Sequence, residues 1–213
     1  MAPRRDVLTR QGIIDTTREM LRTTDLEDLS LRKLASELGV TAPALYAHVE
    51  DKDDLMRAVA EIGFNDLVAR MTAVDDPDPL VRLRGYGRAY VELALSDPEV
   101  FRVMFRYRPE AIDVPDVDNT LSAATDAFAL PGLAVADAIE RGAIHPGHDP
   151  LRVAMTLWAT NHGCATVLLL GAQGGKVVIP PEFTNLVDDV ISATLAGLAA
   201  PPSDHSADQS SDA

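Results

Sequence analysis

The sequence predicts an all-α protein: an N-terminal three-helix bundle with a helix-turn-helix, a long connecting helix, and a larger all-helical second domain. Three observations carry this. Apolar residues recur at helical spacing along nearly the whole chain. An acidic cap followed by proline, the signature of a helix start, occurs at Asp78-Pro79, Asp97-Pro98 and Asp149-Pro150. No segment reads convincingly as a strand, since the run from Lys176 to Ile179 is too short, and there is no internal repeat.

Length and composition set the bounds. The 213 residues suffice for one or two domains with a real core. A hydrophobic share of 46% with 24% charged residues is that of an ordinary globular chain. No apolar run reaches the length of a membrane span and no signal peptide opens the chain, so a cytoplasmic protein without a membrane partner is expected. The single cysteine, Cys164, cannot form an intramolecular disulfide and fits a reducing compartment. A net charge of −14 excludes indiscriminate nucleic-acid binding. The acid is concentrated after residue 58, where the net is −12 against −2 before it, so the N-terminal part is much the less acidic.

The chain opens on an arm with Arg4 and Arg5, suited to phosphates or simply solvated. A first helix over residues 9–23 carries an apolar stripe of Ile13, Ile14, Thr17, Met20 and Leu21, with Arg10, Arg18, Glu19 and Arg22 largely outside. Its expected role is to pack across the next two helices. Gly12 weakens it slightly.

Residues 29–52 follow. Ser30 can cap a short helix whose apolar face is Leu31, Leu34, Ala35 and Leu38. Gly39 comes just past that face, where a helix needs a left-handed residue to stop. Val40 can plug the angle between two helices. Thr41 caps a second helix through Pro43, Leu45, Tyr46 and Val49, with Pro43 in the first turn, where a missing N–H costs little. Two short helices joined by a tight glycine turn describe a helix-turn-helix, whose second helix can enter a DNA major groove.

The segment Gly39-Val-Thr-Ala-Pro-Ala-Leu-Tyr-Ala-His-Val49, with Lys52 three residues on, resembles the DNA-binding motif of the TetR family of bacterial transcriptional regulators. The resemblance covers about residues 8–60. The family usually has glycine where this chain has Asp25, a residue that tolerates the left-handed conformation well enough to keep the turn. The resemblance implies that Tyr46 and Lys52 anchor phosphates, while Thr41, Ala42, Pro43 and His48 line the groove. Arg32, on the first turn of the preceding helix, can reach a phosphate or a guanine edge; Lys33 reads as solvated. Between Thr41 and Val49 there is no Arg, Lys, Asn or Gln, so the side chains for bidentate base readout are missing from the second helix.

A long helix over residues 51–71 connects this unit to the rest, with Asp51, Asp53 and Asp54 at its dipole-favoured start. The turn at residues 74–79 is a candidate boundary. Further helices are expected over 78–95, 97–106, 118–141, 149–170 and 181–199, with a loop at 107–117. Pro131-Gly132 is expected to kink or break the third of these. The expected domains are 1–56 for DNA, 57–200 for effector binding and dimerisation, and a disordered tail at 201–213.

Residues 157–171, LWATNHGCATVLLLG, resemble the Trp–His–Gly signature of one class of TetR-family regulatory domains. Trp158 and His162 share a helical face, and Asp97-Pro98 followed by Val100, Met104 and Phe105 also fits. The resemblance implies a homodimer, joined through its last two long helices, that releases a pseudo-palindromic double-stranded operator when a small-molecule effector binds. Val153, Leu157, Cys164, Leu168, Leu186, Val190, Ala193, Ala196 and Gly197 offer the apolar surface for that interface. A ligand site is a mostly apolar cavity with few polar groups, and Tyr86, Tyr90, Met104, Phe105, Phe128, Trp158 and His162 are its candidate lining. The structural alternative is that they are plain core.

Catalytic and cofactor signatures are weak. His145 and His148 with Asp149 lack the distant ligands of a metal site. Cys164 and His162 are two apart on a helix and do not face each other. Gly85-Tyr-Gly87 and Gly174-Gly175 lack the rest of a nucleotide loop. No catalytic residue, metal or cofactor is assigned. The competing function class is a small-molecule binding or carrier protein with no DNA role.

Overall fold

The computed structural model describes residues 8–107, 120–172 and 185–199. The basic arm, the loop with Pro109 and Pro115, the start expected for the last helix near Pro181, and the tail lie outside them. Among the described residues there are nine helices: α1 (Arg10–Leu21), α2 (Leu31–Glu37), α3 (Ala42–Tyr46), α4 (Lys52–Thr72), α5 (Pro79–Ser96), α6 (Pro98–Met104), α7 (Ser122–Glu140), α8 (Pro150–Ala172) and α9 (Leu186–Leu198).

Local chemistry sets most helix starts. Thr9 accepts the Gly12 amide, Ser30 that of Lys33, and Asp51 that of Asp54. Asp78 and Asp97 cap α5 and α6, each with proline in the first turn. Gly39 and Gly142 end α2 and α7 in the left-handed region, at φ 66° and 73°. The turn at Asp25 closes without glycine, because the Asp25 carbonyl accepts both the Asp28 and Leu29 amides.

The small N-terminal bundle packs on Ile13, Leu21, Leu34, Leu45 and Leu55. Helix α4 leaves it to pack against α5, α6 and α7, and α5 lies against α7, α8 and α9. Two expectations need correction. Of the kink or break expected at Pro131, the break does not occur, for α7 continues through it as one helix: buried Ala123, Ala124 and Ala127 before the proline and Ala134, Val135 and Ala138 after it all dock on the core, which offsets the one missing N–H. Within α8, Pro150–Leu170 is long and apolar enough by composition to cross a membrane. In the fold, that helix instead lays one side against α5, α7 and α9.

Candidate functional site

Helices α2 and α3 form the helix-turn-helix. Leu34, Ala35, Leu45 and Val49 are buried, and this fixes which face of α3 turns outward. Thr41, Pro43, Ala44 and Tyr46 are exposed, the last at 55%, and Ala42 and His48 are half-buried. Helix α3 is shorter than expected, ending at Tyr46, with Ala47 and His48 in a turn.

Thr41 occupies the cap position of α3 but its side chain makes no capping bond. The cause is Pro43, which has no N–H to offer, while the Ala44 amide goes to the Thr41 carbonyl at 3.0 Å. The Thr41 hydroxyl is thereby left out of the helix's own bonding. Arg32 is exposed on the first turn of α2; neighbouring Lys33 reaches back to the Asp28 carbonyl at 2.9 Å.

Three side chains lock this unit onto α4. Arg10, expected on the solvent face of α1, donates to both carboxylate oxygens of Asp54 at 2.6 and 2.9 Å and to the His48 carbonyl at 2.8 Å. Asp54 also accepts the Glu50 amide, and the Arg10 guanidinium holds its carboxyl below the usual carboxylate range. Lys52, the expected phosphate anchor, is half-buried, and its ammonium donates to the Leu26 carbonyl at 2.6 Å. That bond fixes the α1–α2 connection to the start of α4 and leaves two of the ammonium's three donors.

A cavity of about 290 Å³ lies between α4, α5, α7 and α8. Of the expected lining, Tyr86, Tyr90, Phe105, Phe128 and Trp158 face it. Two expected residues do not. Met104 is fully buried at the α4–α6 contact, where a Cβ on Gly63 would meet its Sδ at 2.5 Å. His162 stands behind the wall, with Nδ1 2.9 Å from the Tyr90 hydroxyl and its ring among those of Phe101, Phe105 and Trp158. Burial pushes the His162 imidazole down and the Tyr90 phenol up, so both are neutral near pH 7 and share one proton-mediated contact.

Sequence reasoning missed the wall supplied by α4, namely Phe64, Leu67 and Met71, along with Tyr107 and Asn161. Apolar spacing marks Leu67 and Met71 as the buried side of α4, but spacing reports burial and not whether the buried face meets another helix or a cavity. The Tyr107 hydroxyl donates to Asp53 Oδ1 at 3.2 Å and to its carbonyl at 3.3 Å. Burial first, then the Asp53 charge, pushes that phenol up to about 12. Tyr107 therefore touches both the cavity and the first turn of α4, next to Lys52. A second link ties α1 to the helices around the cavity: Arg18 pairs with Asp97 at the start of α6.

The expected dimer surface is partly redrawn. Val153, Leu157 and Cys164 are buried within the chain because their side of α8 is the one turned to the core. The outward side instead shows Leu151, Val167 and Leu170, and α9 shows Ala193, Ala196 and Gly197. The His145 imidazole is engaged locally, its Nδ1 accepting the Gly147 amide at 3.0 Å.

Comparisons with known proteins place these features. Residues 13–59 match the family described as bacterial regulatory proteins, tetR family. Residues 83–194, over half the chain, match the tetracyclin repressor-like C-terminal domain. The chain is 32% identical over 120 residues to the class C tetracycline repressor protein of Escherichia coli, covering 56% of this chain and 55% of that one. It thus spans about half the length of that relative. It is 25% identical to an HTH-type transcriptional regulator of Mycobacterium tuberculosis, covering 84% of this chain and 78% of that one. A protein of unknown function from Rhodococcus sp. RHA1 has the same fold with a TM-score of 0.73, at 28% identity over 94% of this chain and all of that one. A TetR from Acinetobacter baumannii AYE, solved in complex with minocycline, shares the fold at TM-score 0.65 and 20% identity, over 91% of this chain and all of that one.

Proposed function

The chain belongs to the TetR family of bacterial regulatory proteins, and from that premise we propose that it is a cytoplasmic, homodimeric transcriptional repressor whose DNA affinity is set by a small-molecule effector. Residues 1–56 bind the operator and residues 57–200 bind the effector and the second subunit. The observation that carries this is the outward face of α3. Thr41, Pro43, Ala44 and Tyr46 are exposed on a helix held rigid from behind by buried Leu45 and Val49, and the Thr41 hydroxyl is not used by the helix itself.

The division of labour follows from side-chain chemistry. Tyr46 and the remaining donors of Lys52 hold phosphates, which position the protein without carrying sequence information. Arg32 reads a base edge. Thr41, Ala42, Pro43 and His48 supply methyl, hydroxyl and imidazole contacts, so much of the remaining specificity comes from DNA shape. The outward apolar side of α8 and the small residues of α9 support the dimer, which sets two α3 helices about one DNA turn, ~34 Å, apart on a pseudo-palindromic site.

The effector enters the α4–α5–α7–α8 cavity. Because Phe64, Leu67 and Met71 of α4 form part of its wall, and Tyr107 ties it to Asp53, a bound molecule acts on the helix that carries the DNA-binding unit. It shifts the equilibrium only by its differential affinity for the two states, typically ~1–3 kcal/mol. The test is selection of bound DNA from a random pool with the full chain, which is expected to recover a pseudo-palindrome with half-sites one helical turn apart. Recovery of no sequence above background would return the chain to the class of ligand carriers.

A further inference from the structure

Every described residue that lines the cavity is uncharged, and its wall is dominated by aromatic and aliphatic side chains. Two of its polar groups are already committed: the Tyr90 hydroxyl to His162 and the Tyr107 hydroxyl to Asp53. Asn161 is different. It lines the cavity and is over nine-tenths buried, yet its Oδ1 has no hydrogen-bond partner. Its place is prepared by Gly87 on α5, where a Cβ would come within 2.8 Å of that oxygen. A buried carboxamide with an unpaired oxygen costs free energy that a tightly packed leucine would not, and the group carries both donors and an acceptor for a molecule in the cavity it lines.

We propose that the cavity selects an uncharged, largely apolar molecule bearing one hydroxyl or carbonyl group, and that Asn161 is the residue that recognises that group. The assignment rests on the cavity being the effector site of the regulator. A carboxylate or ammonium entering the same space loses its hydration and finds no counter-charge on the wall, whereas a hydroxyl exchanges a hydrogen bond to water for one to the Asn161 amide. The aromatic wall fits a ring or a flexible apolar chain equally.

Trp158 is the chain's one tryptophan and lines the cavity, so its fluorescence reports occupancy directly, without DNA. The probes are 4-phenylbutanol, 4-phenylbutanoate, 4-phenylbutylammonium and butylbenzene, which share a skeleton and differ at the polar end. With the full chain at pH 7, the alcohol is expected to give a saturable change and to bind about tenfold or more tightly than either ion. Asn161→Leu is expected to erase the alcohol's advantage over butylbenzene, about tenfold for one hydrogen bond. Asn161→Asp is expected to invert the order in favour of the ammonium.

Equal or tighter binding of either ion to the unaltered chain would overturn the assignment, as would the absence of a saturable change with all four compounds. So would an unchanged alcohol preference in Asn161→Leu. The same titration with selected operator DNA present separates this from the effector reading. An alcohol that binds with the expected selectivity but leaves operator affinity unchanged supports the assignment and removes the cavity's regulatory role.

Discussion

Arg18, in the last turn of α1, places its Nη2 2.8 Å from Asp97 Oδ2, while the other Asp97 oxygen accepts the Val100 amide at the start of α6. One nearly buried carboxylate thus caps α6 and holds a cation of α1. Helix α6 also bears Phe101, which packs edge-on against Phe105 of the cavity wall. The pair thus joins α1 to the helix that packs on Phe105 of the cavity wall.

Arg18→Leu strands the Asp97 carboxylate. Full loss of a buried partner costs more, but Arg18 keeps 32% of its surface, so about 1–2 kcal/mol is expected in urea melts. Asp97→Asn keeps a good cap and removes only the charge. Both variants are expected to narrow the ratio of operator affinities with and without effector. A ratio equal to that of the unaltered chain in both would show that Arg18–Asp97 holds the fold together without transmitting anything.

Ser30 and Thr41 occupy equivalent cap positions with different employment. Ser30→Ala removes a bond to the Lys33 amide and is expected to cost about 1 kcal/mol of stability. Thr41→Val, which keeps the methyl, is expected to move stability by no more than ~0.5 kcal/mol and to weaken operator binding. Thermal melts and DNA titrations on the two variants separate capping from contact; a larger loss of stability in Thr41→Val than in Ser30→Ala would reverse the assignment.

Lys52→Ala is expected to lower affinity for every DNA sequence and flatten the log–log salt dependence by roughly one unit. Since it also removes the bond to the Leu26 carbonyl, a stability loss of about 0.5–1.5 kcal/mol accompanies it. Arg32→Ala is expected to relax preference at one position per half-site by about 1–3 kcal/mol with no comparable loss of stability. Binding to a library of single-base operator variants at two salt concentrations tells the roles apart.

His162 sets a pH dependence. Burial lowers its folded pKa below the unfolded value near 6.5, so the unfolded chain takes up the proton first as pH falls. The stability linked to the neutral ring is complete above ~6.5 and is lost as pH drops from there through the lowered folded value. His162→Phe is expected to flatten the difference between urea midpoints at pH 7.5 and 5.5. Asp54 acts in a separate, more acidic window: its lowered pKa makes the Arg10 pair stabilising above the ordinary carboxylate value of ~3.9, a contribution lost as pH falls through the lower folded value.

Gly63→Ala tests the α4–α6 contact. A Cβ there would stand 2.7 Å from Val100 Cγ1 as well as against Met104. The methionine tip can yield, but the branched valine has little room, so about 1–3 kcal/mol of destabilisation is expected. Stability unchanged to within 0.5 kcal/mol would mean that α6 stands off α4 more freely than the contact implies.

What the sequence by itself determined is local. Helix starts at Ser30, Asp51, Asp78 and Asp97, the left-handed stop at Gly39, and the buried side of α3 all follow from bonds or periodicities spanning a few residues. Five aromatic members of the cavity were legible because large rings on apolar helical faces have few places to go. Only the tertiary structure decided the rest. It turned Val153, Leu157 and Cys164 inward, set Met104 against Gly63 instead of the cavity, and carried α7 through Pro131. It also joined Arg10 to Asp54, Arg18 to Asp97, Tyr107 to Asp53 and Asn161 to the space beside Gly87. These partners lie 44 to 79 residues apart or depend on which side of a nearly uniform apolar helix meets its neighbour. Neither distance along the chain nor that choice of side leaves a periodic trace, because both are settled by how all the helices pack at once.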